Sequence, residues 1–308
     1  MHKNTIKSSG MAQTPLLYIV DEQTHRSSRL STVLNFINEA HQLLTVSELE
    51  QRLSTAEPAV VVCAPQQFSA VSKIAFQSGT QYVVTLDDQR GGSLLQRAAH
   101  HSDQHTPVHR QADDIAAIIY TSGTTGRSKG AMLTHGNMLS NALTLKDYWG
   151  WKKGDVLIHA LPIFHVHGLF VAIHGALING SKMIWMAKFD PQRAIANMAR
   201  ATVFMGVPTL YVRMLAEASL NKAAVKGMRL FIAGSAPLLI ETFTEWQTRT
   251  GHTILERYGM SETAMLTSNP YAADDRYAKQ SERRGGTVGF PLPDVSLRVR
   301  GDDGQDLP

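Results

Sequence analysis

Residues 115–130 read "IAAIIYTSGTTGRSKG". The first six suit a buried strand. The next ten, Thr121 to Gly130, hold three glycines, two cations and a set of hydroxyls, with no apolar side chain. The backbone N–H groups of a glycine-rich loop turn to one side. Ser and Thr hydroxyls add donors, and Lys129 adds a point charge. Such a loop after a strand is suited to holding a polyphosphate. It is not a Walker A loop, because Lys129 follows Gly126 by three and no Gly-Lys pair occurs here. Taken alone, the stretch also reads as a plain surface turn.

Downstream of this loop, strands and helices alternate. "DVLIHALP", "SKMIWMA", "TVFMGV", "MRLFIAG" and "TILERYG" read as strands. "THGNMLSNALTLKDYW", opened by Thr134, reads as a helix, as do "QRAIANMARA", "PTLYVRMLAEA" and "LLIETFTEWQTRTG". Asp190-Pro191 is a helix opening, and Gly251 is a helix stop. Upstream, "TVSELEQRLSTA" is helical, with Thr45 and Glu48 at capping-box spacing. "AVVVCA" and "QYVVTL" are strands, and the polar, His-rich residues 89–113 are a surface loop. "GTVGFPLPDVSLRVR" is Gly/Pro-punctuated and β-rich. The expected fold is α/β, with mostly parallel sheets flanked by helices. Residues 1–35 are expected to be a weakly structured leader, 36–284 an α/β core, and 285–308 the start of a β-rich subdomain.

The composition agrees with this reading. Of the 308 residues, 43% are hydrophobic and 18% charged, enough for a sizeable core. Lys plus Arg exceed Asp plus Glu by 30 − 26 = 4, without a run that would mark a nucleic-acid stripe. The lone cysteine, Cys63, has no internal disulfide partner, which suits a reducing, cytoplasmic setting. Apolar runs such as "GLFVAI" fall far short of the roughly 20 residues that span a bilayer, so no membrane partner is expected.

Three long motifs then occur in order: "YTSGTTGRSKGAMLTHGN", "FIAGSAPL" and "ERYGMSET". Together they resemble the adenylate-forming superfamily of acyl-CoA synthetases, luciferases and peptide-synthetase adenylation domains. The likeness covers roughly residues 38–308. "VLIHALPIFHVHGLFVA", "KFDP" and "GTVGFPLPDVSLRV" resemble the malonyl-CoA synthetase branch of that family. The resemblance implies a ligase that uses ATP, Mg²⁺ and coenzyme A to activate malonate or methylmalonate.

The resemblance also implies roles for individual residues. Thr121, Ser122, Gly123, Thr124, Thr125, Gly126 and Lys129 would cradle the β- and γ-phosphates. Gly234, Ser235, Ala236 and Pro237 would line the adenine. Glu256, Arg257, Tyr258, Gly259 and Met260 would complete the nucleotide side, with Tyr258 stacking on the ring. Glu262 would be the magnesium-associated carboxylate, and Thr263 would stand near the α-phosphate. His165 and His167 would flank the acyl group. Arg283 would grip the distal carboxylate, with Ser268 adding a hydrogen bond and Arg284 as the alternative should the register slip by one.

Other readings stand beside this one. His159, His165, His167 and His174 crowd one segment, which raises a metal-binding module, although no Cys pair or His-Glu-x-x-His accompanies them. A peptide-synthetase adenylation domain needs an aspartate after Phe164, and His165 stands there. A non-catalytic nucleotide-binding protein and a synthetase for another acid are further alternatives. The family's earlier N-terminal portion, its ribose-binding aspartate and its small C-terminal domain with the adenylation lysine lie outside the matching stretch. The chain by itself is therefore expected to bind nucleotide weakly and to form little thioester.

Overall fold

The apolar runs picked out in the sequence form the sheets of a computed structural model. It describes residues 19–20, 27–28, 46–102, 104, 109–122, 128–271 and 282–307. The chain divides into two units, one built mainly on residues 26–136 and the other on 137–308. Residues 1–18, most of the expected leader, lie outside the described residues, and so does the cap expected at Thr45.

In the first unit, helix α1 (Val46–Ala56) and helix α2 (Phe68–Gln77) accompany a parallel pair of strands, β1 (Val60–Cys63) and β2 (Tyr82–Thr85). Leu53, Val61, Cys63, Val71, Ile74, Ala75 and Val83 bury one another there. Helix α2 is not among the sequence expectations, although Val71, Ile74 and Ala75 have helical spacing and are the residues it buries. A short helix, α3 (Ser93–Ala98), lies inside the stretch expected to be loop. It corrects that expectation: its leading Ser93 exchanges hydrogen bonds with Thr85, which ties this polar segment to the end of β2. Strands β3 (Ile115–Ser122) and β4 (Ser128–Thr134) form an antiparallel hairpin.

The second unit is built on one seven-stranded sheet. Helix α4 (His135–Tyr148) precedes it. Its parallel strands are β5 (Val156–His159), β6 (Lys182–Trp185), β7 (Val203–Gly206), β8 (Leu230–Ala233) and β9 (Leu255–Met260). Strands β10 (Ala264–Ser268) and β11 (Phe290–Pro291) extend it antiparallel, and the spatial order is β11-β10-β9-β8-β7-β5-β6. Every residue of β7 and β8 is buried, as a parallel sheet covered on both faces requires.

Helices α5 (His174–Ile178), α6 (Pro191–Asn197), α7 (Pro208–Leu215) and α8 (Ile240–Thr250) flank the sheet. Asp190 caps α6 by accepting from Arg193 N–H at 2.8 Å. Gly251 ends α8 at φ +77°, where a Cβ would be strained. Trp246 of α8 is fully buried, edge-on to Tyr211 and Phe231 at 4.9 and 5.0 Å. The tail adds a two-stranded antiparallel pair, Val299–Arg300 with Asp306–Leu307. The observed class is the expected one, α/β with a mostly parallel sheet flanked by helices. No helix among the described residues is long and apolar enough to cross a membrane.

Candidate active site

Strand order reverses in the second unit between β5 and β7: the chain runs from β5 out to β6 and then returns to the far side of β5. In open α/β sheets such a switch point opens a crevice outside the carboxyl ends of the strands. His159 ends β5, Gly234 directly follows β8, and Glu256 and Arg257 lie in β9. A π-helical segment, His167–Ile173, follows the loop after β5. Its tight start needs Gly168, where a Cβ would stand 2.1 Å from the Pro162 carbonyl oxygen.

His167 is 3% exposed. Its Nδ1 lies 3.2 Å from Ser235 Oγ, and its Nε2 has no partner among the described residues. Burial first, and then the charges of Arg257, His165 and His159, hold its pKa well below the ordinary histidine value. His159 is buried edge-on to Trp185 at 4.4 Å, and burial lowers its pKa to about 3. His165 lies at the surface. Its pKa is lowered first by desolvation and then by Arg257. Histidines 159 and 167 are therefore neutral at pH 7.

The two downstream motifs sit side by side. Ala233 pairs in register with Glu256. The Glu256 carboxylate, 4% exposed, accepts from Leu238 N–H at 2.9 Å and so clamps the Gly234–Pro237 turn onto β9. Burial raises its pKa. Gly234 is buried, Ser235 takes φ +68°, and Ala236 and Pro237 are exposed. "ERYGMSET" forms the first arm and tip of the β9–β10 hairpin. Gly259 is required there, since a Cβ would stand 2.0 Å from the Ala264 carbonyl oxygen. Glu262 and Thr263 are exposed at the tip, where Thr263 Oγ1 donates to Ala264 O at 3.2 Å. Tyr258 and Met260 are each 45% exposed.

The residues expected on the acid side part company. Ser268 is fully buried. Its hydroxyl accepts from Trp149 Nε1 at 2.9 Å and donates to Asn269 O at 2.8 Å. Arg283 donates from Nε to Pro270 O at 3.0 Å, from Nη1 to Thr253 O at 2.7 Å and from Nη2 to Tyr271 O at 3.0 Å. Its fork is held by three backbone carbonyls, with Thr253 Oγ1 a longer contact at 3.5 Å. Arg284 is exposed and donates its backbone N–H to Asn269 Oδ1 at 3.1 Å. Arg257 is 2% exposed, and burial lowers its pKa to about 9, so it remains charged at neutral pH. Arg257 Nε and Nη2 have no partner among the described residues.

In the first unit, Thr121 stands opposite Lys129, and Ser122 opposite Ser128, at the end of the β3–β4 hairpin farthest from the Ile115–Thr134 pair. Thr121 Oγ1 donates to Lys129 O at 3.5 Å, and Lys129 is exposed. Gly123, Thr124, Thr125 and Gly126 lie outside the described residues. Strand β4 is not anticipated by the sequence reading, because its Ser, Lys and Gly carry no apolar alternation. Among the described residues, no three His, Cys, Asp or Glu side chains are grouped to hold a metal ion.

The sequence reading placed Arg257 with the nucleotide and passed over Glu256 as a clamp. The available signal was a charged pair, Glu256-Arg257, inside an otherwise apolar strand.

Comparison with known proteins adds the following. A model of the AMP-binding enzyme family matches residues 29–308. Human mitochondrial malonate–CoA ligase ACSF3 is 32% identical over 277 residues, covering 84% of this chain and 46% of the relative. The crystal structure of ATP-bound MatB from Rhodopseudomonas palustris superposes with a TM-score of 0.80 at 51% identity, over 86% of this chain and 51% of that one. A malonyl-CoA ligase in a ternary product complex with methylmalonyl-CoA and AMP gives 0.66 at 28% identity, over 92% and 65%. The chain thus spans about half the length of the curated relatives it matches.

Proposed function

Because the chain belongs to the AMP-binding enzyme family, we propose that it carries nucleotide- and acid-binding elements of an ATP-dependent ligase joining malonate, or its 2-methyl homologue, to coenzyme A. One carboxylate oxygen attacks the α-phosphorus of ATP and pyrophosphate leaves. The thiol of coenzyme A then attacks the acyl-adenylate and AMP leaves. Work of this kind rests on positioning and charge neutralisation.

The observation that carries the proposal is the Leu238 N–H to Glu256 bond. It fastens the two downstream signature motifs together at the carboxyl edge of the sheet. There the Gly234–Pro237 turn offers backbone to the adenine and Tyr258 offers an exposed ring. Thr263 faces the α-phosphate. Glu262, on an exposed tip, suits Mg²⁺, which binds through one or two carboxylates plus substrate phosphates. In the first unit, Thr121, Ser122, Gly123, Thr124, Thr125, Gly126 and Lys129 cradle phosphate. His165 and His167 border the acid. The proposal includes a reducing, cytoplasmic setting, in keeping with a lone buried Cys63 whose thiol burial pushes up.

Calorimetric titration tests the proposal. The 308-residue chain should bind ATP and malonyl-sulfamoyl-adenosine, a stable mimic of the adenylate. Lys129→Ala should lose about 1.5–3 kcal/mol of ATP affinity, the worth of a charge-assisted contact. A wild-type chain that binds neither ligand overturns the proposal, and an unchanged Lys129→Ala affinity overturns the phosphate assignment.

A further inference from the structure

Among the described residues, strands β3 and β4 pair only with each other. A two-stranded hairpin is at best marginally stable in water, so its placement rests on ties to other parts of the chain. Its two ends are tied differently. At the Ile115–Thr134 end the ties are backbone: His135 N–H donates to Asp114 O at 3.0 Å, and Gly136 N–H to Ala112 O at 2.8 Å. At the end that carries Thr121 and Lys129, a side chain makes the tie.

Tyr120 directly precedes Thr121, and its hydroxyl reaches helix α1. It lies 2.6 Å from Thr55 Oγ1 and donates to Arg52 O at 3.1 Å. Thr55 Oγ1 in turn donates to Gln51 O at 2.8 Å. With the Thr55 proton spent there, the Tyr120 proton is shared between Thr55 Oγ1 and Arg52 O. The Arg52 guanidinium covers the ring, with Cζ 5.3 Å from its centroid, within range of a cation–π contact. Across the hairpin Tyr120 stands opposite Gly130 in register. A Cβ at Gly130 would stand 2.7 Å from Ile118 Cγ2 and 3.5 Å from the Tyr120 ring, so the glycine leaves room for both side chains. Consecutive strand residues point to opposite faces. Tyr120 is on the face turned to α1, and Thr121 and Lys129, opposite each other one position on, are on the other face.

We propose that Tyr120, with Thr55 as its partner, is a positioning residue for phosphate contacts made by Thr121 and Lys129. Helix α1 is the strut that holds this end of the hairpin where the β- and γ-phosphates of a nucleoside triphosphate arrive. The proposal rests on the ligase reading above. Tyr120 itself faces away from the phosphates. Its hydrogen bond raises the share of molecules whose hairpin stands in the binding position, and apparent affinity falls in proportion to that share. A nucleotide without β- and γ-phosphates is indifferent to it.

The test is calorimetric titration of ATP and AMP into wild type, Tyr120→Phe, Thr55→Val and the double variant, with a melt of each protein. Tyr120→Phe removes one oxygen and keeps the ring under Arg52. Thr55→Val removes the partner hydroxyl at nearly the same shape. Wild type should bind ATP more tightly than AMP. Each single variant should weaken ATP by about 3- to 10-fold, the worth of one hydrogen bond, and leave AMP unchanged. The double variant should lose no more than the larger single loss, because both changes remove the same tie. A ratio of ATP to AMP affinity that neither single variant changes overturns the inference and leaves the ligase reading standing. Equal weakening of ATP and AMP, with an earlier melt, makes Tyr120 a residue of the fold alone and also overturns it. Losses that add in the double variant separate Tyr120 from Thr55 and overturn the pairing. A wild type that binds AMP as tightly as ATP removes the phosphate assignment and the inference with it, and one that binds neither removes the ligase reading as well.

Discussion

Arg283 and Arg257 lie in the same unit, and burial lowers the pKa of both. They differ in what their N–H groups touch. Arg283 spends its fork on three backbone carbonyls across residues 253–271. Arg257 Nε and Nη2 have no partner among the described residues. A third arginine, Arg229, completes the series: Nε donates to Asp155 Oδ1 at 2.8 Å and Nη2 pairs with Oδ2. One guanidinium is matched by a carboxylate, one by backbone and one by nothing described. A satisfied buried cation is structure.

The largest expected effect breaks the matched pair. Asp155 is 3% exposed. Burial pushes its pKa up, but hydrogen bonds from Arg229, Lys152 N–H and Thr202 hold it below the ordinary value. Asp155→Ala strands Arg229 and should cost about 3–5 kcal/mol, read as a shift in the urea midpoint. A loss within error of zero would mean that isolating a buried arginine is harmless, and the comparison would fail. Next, Arg283→Met should cost about 1.5–3 kcal/mol by the same measurement, as backbone carbonyls lose charged donors. An unaffected midpoint would free Arg283 for a substrate role.

His159 sharpens the contrast by pH. It survives burial by staying neutral, which an arginine cannot do. Its folded pKa, about 3, lies below the unfolded 6.5. The unfolded chain therefore takes the proton first. Stability from this group is complete above pH 6.5 and falls as pH drops toward 3, by about 1.4 kcal/mol per pH unit. His159→Phe should flatten that slope between pH 6.5 and 5, although His167 contributes in the same direction. Parallel curves for the two proteins would contradict the assignment.

Much of the frame was legible beforehand. The apolar runs "TVFMGV" and "MRLFIAG" could only be strands covered on both faces, and they are β7 and β8. Asp190-Pro191 and Gly251 mark helix ends by local chemistry that tertiary packing leaves alone. The misses have physical causes too. Strand β10 pairs across a register shift at Tyr258/Gly259, which blurs alternation. Strand β4 gains its pairing from β3 rather than from its own composition. The candidate site reads in the sequence as a set of motifs, since Glu256 to Thr263 follow one another in the chain. Which arginine lacks a partner among the described residues was not legible. That depends on the carbonyls of Thr253, Pro270 and Tyr271 meeting Arg283, and on β9 turning Glu256 away from Arg257.

The central claim is that Arg257, a buried cation without a counter-ion among the described residues, is held at a cost in stability. Its most direct test is the melting of ligand-free Arg257→Met against wild type at pH 7. Replacing an unpaired buried charge with an apolar side chain of similar length should stabilise the protein by about 1–2 kcal/mol, so the variant should melt at a higher temperature. A lower melting temperature would show that Arg257 holds the fold together, and would contradict the account.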